Sequence, residues 1–191
     1  LGQADFQAEL SALRAAKPAA TFVFQPGGMG INFVKQWNQA GMNDLSKLYT
    51  VFTVDGVSLP ALKDTALGVI ATQTWSPDLD NEMNQKFVAD YRAKHGGYPS
   101  FYAAQAYDTM MAIDYAIGEA GSADTEAMRA VLASGDIPTT RGVLQMNSNQ
   151  FPIQNVYLRE VVLDSDGVAT TKIIDTVFED HGDAYAKDCK F

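Results

Sequence analysis

Apolar and polar positions along this chain follow first one period and then another, and the change at residues 21–37 (TFVFQPGGMGINFVKQW) organises what surrounds it. Thr21, Phe22, Val23 and Phe24 form an unbroken β-favouring run, which predicts a strand buried on both faces of a parallel sheet. Pro26, Gly27, Gly28 and Gly30 then force a turn. Beyond it Phe33, Val34 and Trp37 lie on one side and Asn32, Lys35, Gln36 and Asn38 on the other, so a helix over 30–40 is expected, ending at Gly41. Upstream, Phe6, Leu10 and Leu13 mark an amphipathic helix over 5–16, stopped by Lys17-Pro18. A second apolar run, 48–53, completes a β-α-β crossover. Its exit, 53–58, leaves at the same sheet end as the glycine loop, so both loops face one cleft.

Residues 59–65 read as a short helix and 67–75 as a third strand closed by Ser76-Pro77. Helices follow over 78–95, with Asp78, Asp80 and Glu82 leading and Met83, Phe87, Val88 and Tyr91 as the apolar stripe, then over 101–120 and 125–132. The middle one is apolar almost all round and is expected to be central and buried. The block 78–134 therefore has no strand of its own, and nothing else in the chain offers a surface to cover it. Strand pattern returns at 141–146, 155–163 and 168–178, the last two joined by the hairpin signal Asp164-Ser165-Asp166-Gly167. The polar tail from 179 on reads as loop, and there is no internal repeat.

Charge narrows the partners. With 14 Lys and Arg against 23 Asp and Glu, the net charge of −9 opposes nucleic acid and anionic membrane surfaces and favours a small molecule or a protein. No apolar run reaches the roughly 20 residues needed to span a bilayer, and no signal peptide is visible. Because Leu1 is no natural start, the chain is expected to be mature, trimmed or incomplete at that end. Catalytic material is sparse. His95 and His181 stand apart from other ligands and read as surface residues, and no metal site is expected. Asp164, Asp166 and Gly167 lack the closing glutamate of a calcium loop, and Gly28-Met29-Gly30 lacks the third glycine of a dinucleotide fingerprint. Asp55, beside Gly56 after two apolar strands, has two readings: it accepts from a ligand ammonium or it caps the next helix. Trp75 and Tyr102 each line a cleft or fill a core.

The segments FVFQPGGMGINFVKQ (22–36), FTVDG (52–56), PSFYAAQAYD (99–108), Arg141-Gly142 and AYAKDCK (184–190) resemble the periplasmic solute-binding proteins of branched-chain amino acid-type ABC transporters. Within that group the chain is most similar to members handling hydrophobic amino acids or aromatic acids. The likeness runs in order along the whole chain but matches only the second half or so of such a protein.

That resemblance implies an α/β fold of the type I periplasmic binding protein kind: two Rossmann-like lobes with hinge crossings, here lacking the N-terminal part of the first lobe. Residues 1–73 would open the second lobe, 74–138 would be the helical part of the first, and 139–191 would close the second, with crossings near 74–77 and 137–141. It implies a non-enzymatic, periplasmic protein without cofactor, made with a signal peptide, that takes a small hydrophobic amino acid or aromatic carboxylate between its lobes and passes it to ABC permease subunits. A ligand-sensing domain of the same fold is the alternative, and the glycine loop motivates a more distant one, a nucleotide-binding enzyme. The family's ligand loops map onto Gln25, Gly27, Gly28 and Met29 and onto Thr53 and Asp55, with Asp55 in the place of the acid that holds an α-ammonium. Tyr102 matches an aromatic that touches the ligand, and Trp75 and Phe101 would suit an aromatic ring as well. The Ser/Thr loop that grips the carboxylate, and the partner of the single cysteine, Cys189, would both belong to the missing N-terminal half.

Overall fold

The structure, a computed structural model, describes residues 2–189. Leu1, Lys190 and Phe191, which the expected lobe limits and the C-terminal motif include, lie outside the described residues. The chain forms two compact units. One takes the chain up to Ser76 and again Tyr157–Asp175; the other takes Pro77–Val156 and the chain from Thr176 on.

The first unit opens with α1 (Gln7–Ala16), which buries Leu10 and ends at Lys17 in the left-handed region (φ 49°) ahead of Pro18. Strands β1 (Ala20–Val23), β2 (Lys47–Val51) and β3 (Ile70–Gln73) run parallel, with Thr21 opposite Leu48 and Thr50 opposite Ala71. Helix α2 (Gly28–Gln39) crosses from β1 to β2, and the short α3 (Leu59–Leu62) precedes β3. The far part of β6 (Pro152–Leu163) adds antiparallel to β3, Arg159 opposite Ala71. The core is the apolar stripe of α2 on one sheet face: Phe6, Phe33, Val34, Trp37, Leu48, Leu62 and Val161. Phe6 meets Phe33 edge-on at 5.3 Å, and buried Trp37 donates its Nε1 hydrogen to Asn43 Oδ1 at 2.7 Å, so the indole keeps its one polar requirement satisfied.

Only one face of β1 is covered. Thr21 and Val23 are buried, whereas Phe22 and Phe24 are 68% and 60% exposed, so the expectation of a strand buried on both faces is corrected. The reason is position: β1 pairs only with β2, and α1 and α2 pack on a single side.

The second unit carries α4 (Glu82–His95), α5 (Phe101–Ala120) and α6 (Thr125–Ser134), each with a side-chain N-cap. Asn81, Ser100 and Asp124 accept from the amides of Asn84, Ala103 and Ala127. Strands β4 (Ile137–Thr139) and β5 (Gly142–Met146) form an antiparallel hairpin, and β5 pairs with the start of β6, Gln145 opposite Ile153. Helix α5 packs on α6 and on β4. Residues 139–156 lie in the same compact unit as the helices, where hairpin pairing and α5 hold them. The helical block is also less orphaned than expected, since β4 gives α5 a strand to pack on.

Helix α5 is not the all-round buried rod its composition predicts. Phe101, Ala104, Asp108 and Ala116 are its buried residues, while Tyr102, Met110, Ile113 and Ile117 form an exposed apolar stripe. The tail also departs from a simple loop: β7 (Ala169–His181) continues past 179, and a 3₁₀ turn at Ala186–Asp188 buries Ala186. The turn between β6 and β7 is an Asx turn, in which Asp164 Oδ1 accepts from the amides of Asp166 and Val168 and Gly167 takes φ 76°. One oxygen of its carboxylate is held by its own backbone. Among the described residues no helix is long and apolar enough to cross a membrane.

Candidate functional site

Two loops leave the carboxyl ends of adjacent parallel strands in the first unit, 24–28 after β1 and 52–58 after β2, where open α/β sheets take ligands. Gly27 caps α2 with φ 67°, ψ −143° and offers no side chain, so the first-turn amides of that helix have no side-chain cap. Gly27 and Gly28 are exposed, with open space where a Cβ would stand. Gly30 is a different case. A Cβ there would lie 2.0 Å from the Gln25 carbonyl oxygen and 2.8 Å from Thr53 Cγ2, so only glycine lets the first loop fold onto α2 while the second packs behind it.

The loops are tied to each other. Gln25 N donates to Thr53 Oγ1 at 3.3 Å, the same hydroxyl donates to the Val51 carbonyl at 3.2 Å, and Phe24 meets Phe52 edge-on at 6.0 Å. Thr53 is buried, so its role in this structure is to join the loops. Gln25 Oε1 is buried and makes no hydrogen bond to the described residues. Met29 is half-buried, its sulfur accepting from Gly2 N at 3.4 Å.

Asp55 is half-buried and organises the second loop. Its Oδ1 accepts from Val57 N at 2.9 Å, its carbonyl accepts from Leu59 N at 2.9 Å, and its own amide donates to Ser58 Oγ at 3.0 Å. The carboxylate thus closes an Asx turn within the loop rather than capping α3, whose N-cap is Ser58 without a side-chain cap, and its second oxygen, Oδ2, makes no hydrogen bond to the described residues. Trp75 is 1% exposed and packed in the interior, so of its two readings the structure shows the core one. Phe101 and Tyr102 stand on the second unit, at the start of α5, in edge contact at 5.5 Å; Phe101 is buried and Tyr102 exposed.

Phe24 and Phe52 were not among the site residues the sequence singled out. Phe52 holds φ 53°, a left-handed conformation that a bulky residue adopts only where its surroundings impose it. The available signal was an aromatic at the end of each strand, next to Gln25 and Thr53. No group of three His, Cys, Asp or Glu side chains suited to a metal occurs among the described residues. His95 packs on Tyr91 and His181 on Phe178, and Cys189 is a free, exposed thiol.

Comparison with known proteins supplies the context for this pair of loops. Residues 1–167 match the model of the family described as periplasmic binding protein. The chain belongs to that family. It is 32% identical over 187 residues to Leu/Ile/Val-binding protein homolog 6 of Brucella melitensis, covering 94% of this chain and 47% of that protein. It superposes with a TM-score of 0.84 on a solute-binding protein of an ABC transporter from R. palustris in complex with benzoate, at 26% identity, covering all of this chain and 51% of that one. A second such protein, from Rhodopseudomonas palustris BisB5 in complex with 3,4-dihydroxybenzoic acid, gives 0.82 and 29%, covering 94% and 50%. The chain spans about half the length of these relatives. Its mixed α/β fold is that of the type I periplasmic binding proteins, which in general bind solutes rather than catalyse reactions.

Proposed function

We propose that the protein carrying this chain is the extracytoplasmic solute-binding component of an ABC importer, and that residues 24–29 and 52–58 form one wall of its solute site. The observation that carries this reading is the joining of an uncapped glycine loop and an acidic loop at the carboxyl ends of β1 and β2 through Gln25 N and Thr53 Oγ1. Free first-turn amides suit a carboxylate or another partial negative charge, and exposed Phe24 and Phe52 suit an apolar group beside it. The solute is a small carboxylate with an apolar body, either a hydrophobic amino acid or an aromatic acid. The names of the Leu/Ile/Val-binding homologue and of the benzoate complexes support those two classes. Gln25, Gly27, Gly28, Met29 and Asp55 contact the solute, with Thr53 behind them. Phe101 and Tyr102, at the start of α5, and the buried Trp75 are the further solute-site candidates that the resemblance carries. The partners are the permease subunits of the importer, and the location is periplasmic.

Thermal shift of the native protein that carries this sequence tests the proposal. Leucine, phenylalanine or benzoate should raise the transition temperature in a concentration-dependent way, and ATP and NAD should not. A shift with nucleotide alone would overturn it.

A further inference from the structure

Asp108 sits in the middle of α5, 3% exposed, where an unpaired carboxylate would be costly. Both of its oxygens serve one target, the two-residue turn between β4 and β5. Oδ1 accepts the amide of Thr140 at 2.7 Å, and Oδ2 accepts Nε of Arg141 at 3.1 Å in an ion pair that is itself nearly buried. The turn is closed internally by Thr139, whose hydroxyl donates to the Gly142 carbonyl at 2.8 Å and accepts the Arg141 amide at 3.1 Å.

Two further ties leave this turn. The Thr140 carbonyl accepts Nδ2 of Asn81 at 3.0 Å, and Asn81 also caps α4 through Oδ1. Asn84, fully buried one turn on, donates its own Nδ2 to the carbonyls of Pro77 at 3.2 Å and Leu79 at 3.1 Å. On the other side the guanidinium of Arg141 reaches Oε1 of Gln154. Pro77 is where the chain enters this unit, and Gln154 lies two residues before Val156, where β6 leaves it. The ties therefore run from chain entry to chain exit through a single buried carboxylate.

We infer that Asp108 is the node of a polar brace that makes residues 77–81, the β4–β5 turn and Gln154 one rigid piece, so that bending of the chain falls outside it. The brace rests on geometry within this unit alone and stands whether or not the solute-binding reading holds. Truncating Asp108 to alanine would strand a buried guanidinium and risk unfolding the unit. Asn81→Asp is the cleaner probe. It keeps the oxygen that caps α4, removes the donor to Thr140 and sets a carboxylate against that carbonyl.

Hydrogen–deuterium exchange of the native protein reads the result. In N81D, amides of 78–81 and of 139–142 should exchange about tenfold faster together, the scale of one lost buried hydrogen bond, while the amides around Phe33 and Trp37 keep their rates. Asp108→Asn, which retains an acceptor for Thr140 but drops the charge facing Arg141, should accelerate the same two segments and extend to 153–155. Acceleration in N81D confined to 78–81, or absent from both segments, would overturn the brace.

Discussion

The charge on Asp55 separates the two solute classes, and two substitutions isolate it. Asp55→Asn preserves an oxygen for the Val57 amide, bonded at 2.9 Å, and removes the negative charge. Asp55→Ala removes both. The loss of the turn bond in the alanine variant should cost about 0.5–2 kcal/mol, as for other caps, and lower the transition temperature by several degrees. Asparagine should leave stability within about 0.5 kcal/mol of the parent. Binding divides differently. If the free Oδ2 meets an α-ammonium in a desolvated site, loss of the charge strands that cation and costs about 3–5 kcal/mol, which is roughly two to four decades in Kd. Both variants then lose affinity for leucine and phenylalanine alike, while only alanine loses stability. If the solute is a benzoate-like acid, no cation faces Asp55, and D55N binds as well as the parent or better because a like charge has gone. Calorimetric titration of the three native-length proteins with leucine, phenylalanine and benzoate makes the measurement. Unchanged affinity of D55N for an amino acid that the parent binds would refute the ammonium role and leave Asp55 as the residue that closes the Asx turn of its loop.

Gly30→Ala should destabilise the first unit by about 1–3 kcal/mol or more, since the new methyl meets backbone oxygen at 2.0 Å and cannot rotate away; an unchanged denaturant midpoint would refute the close approach. Trp37→Ala, at a fully buried ring whose Nε1 is bonded to Asn43, should cost about 3–5 kcal/mol by the same measurement. The 191-residue chain taken alone should bind an environment-sensitive apolar dye and self-associate through the α5 stripe of Tyr102, Met110, Ile113 and Ile117 and the open face of β1. A monomeric species in sedimentation without dye binding would refute that.

Local order was legible in the chain because local order depends on neighbours in sequence. The period of Phe33, Val34 and Trp37 placed α2, the run 101–120 between Ser100 and Gly121 matched α5 residue for residue, and Asp164 to Gly167 marked the β6–β7 turn. The glycine and acidic loops were legible for the same reason, together with the rule that parallel strands end at one sheet edge. Burial is another matter, since it sums contacts from distant parts of the chain. Phe22 and Phe24 read as core but face outward, because β1 has one neighbour and helices on one side. Composition alone made α5 central, yet exposure depends on what packs against it, and among the described residues α6 and β4 pack on it while its Tyr102–Ile117 stripe stays open. Long-range polar partners were equally hidden: Asp108 and Arg141 are 33 residues apart, and Asn81 and Thr140 are 59 apart, with nothing in either local sequence to announce the pairing. The chemistry of a residue is written at its own position, but whether that chemistry turns to solvent, to its own turn or to a buried partner is decided by the fold that brings the distant segments together.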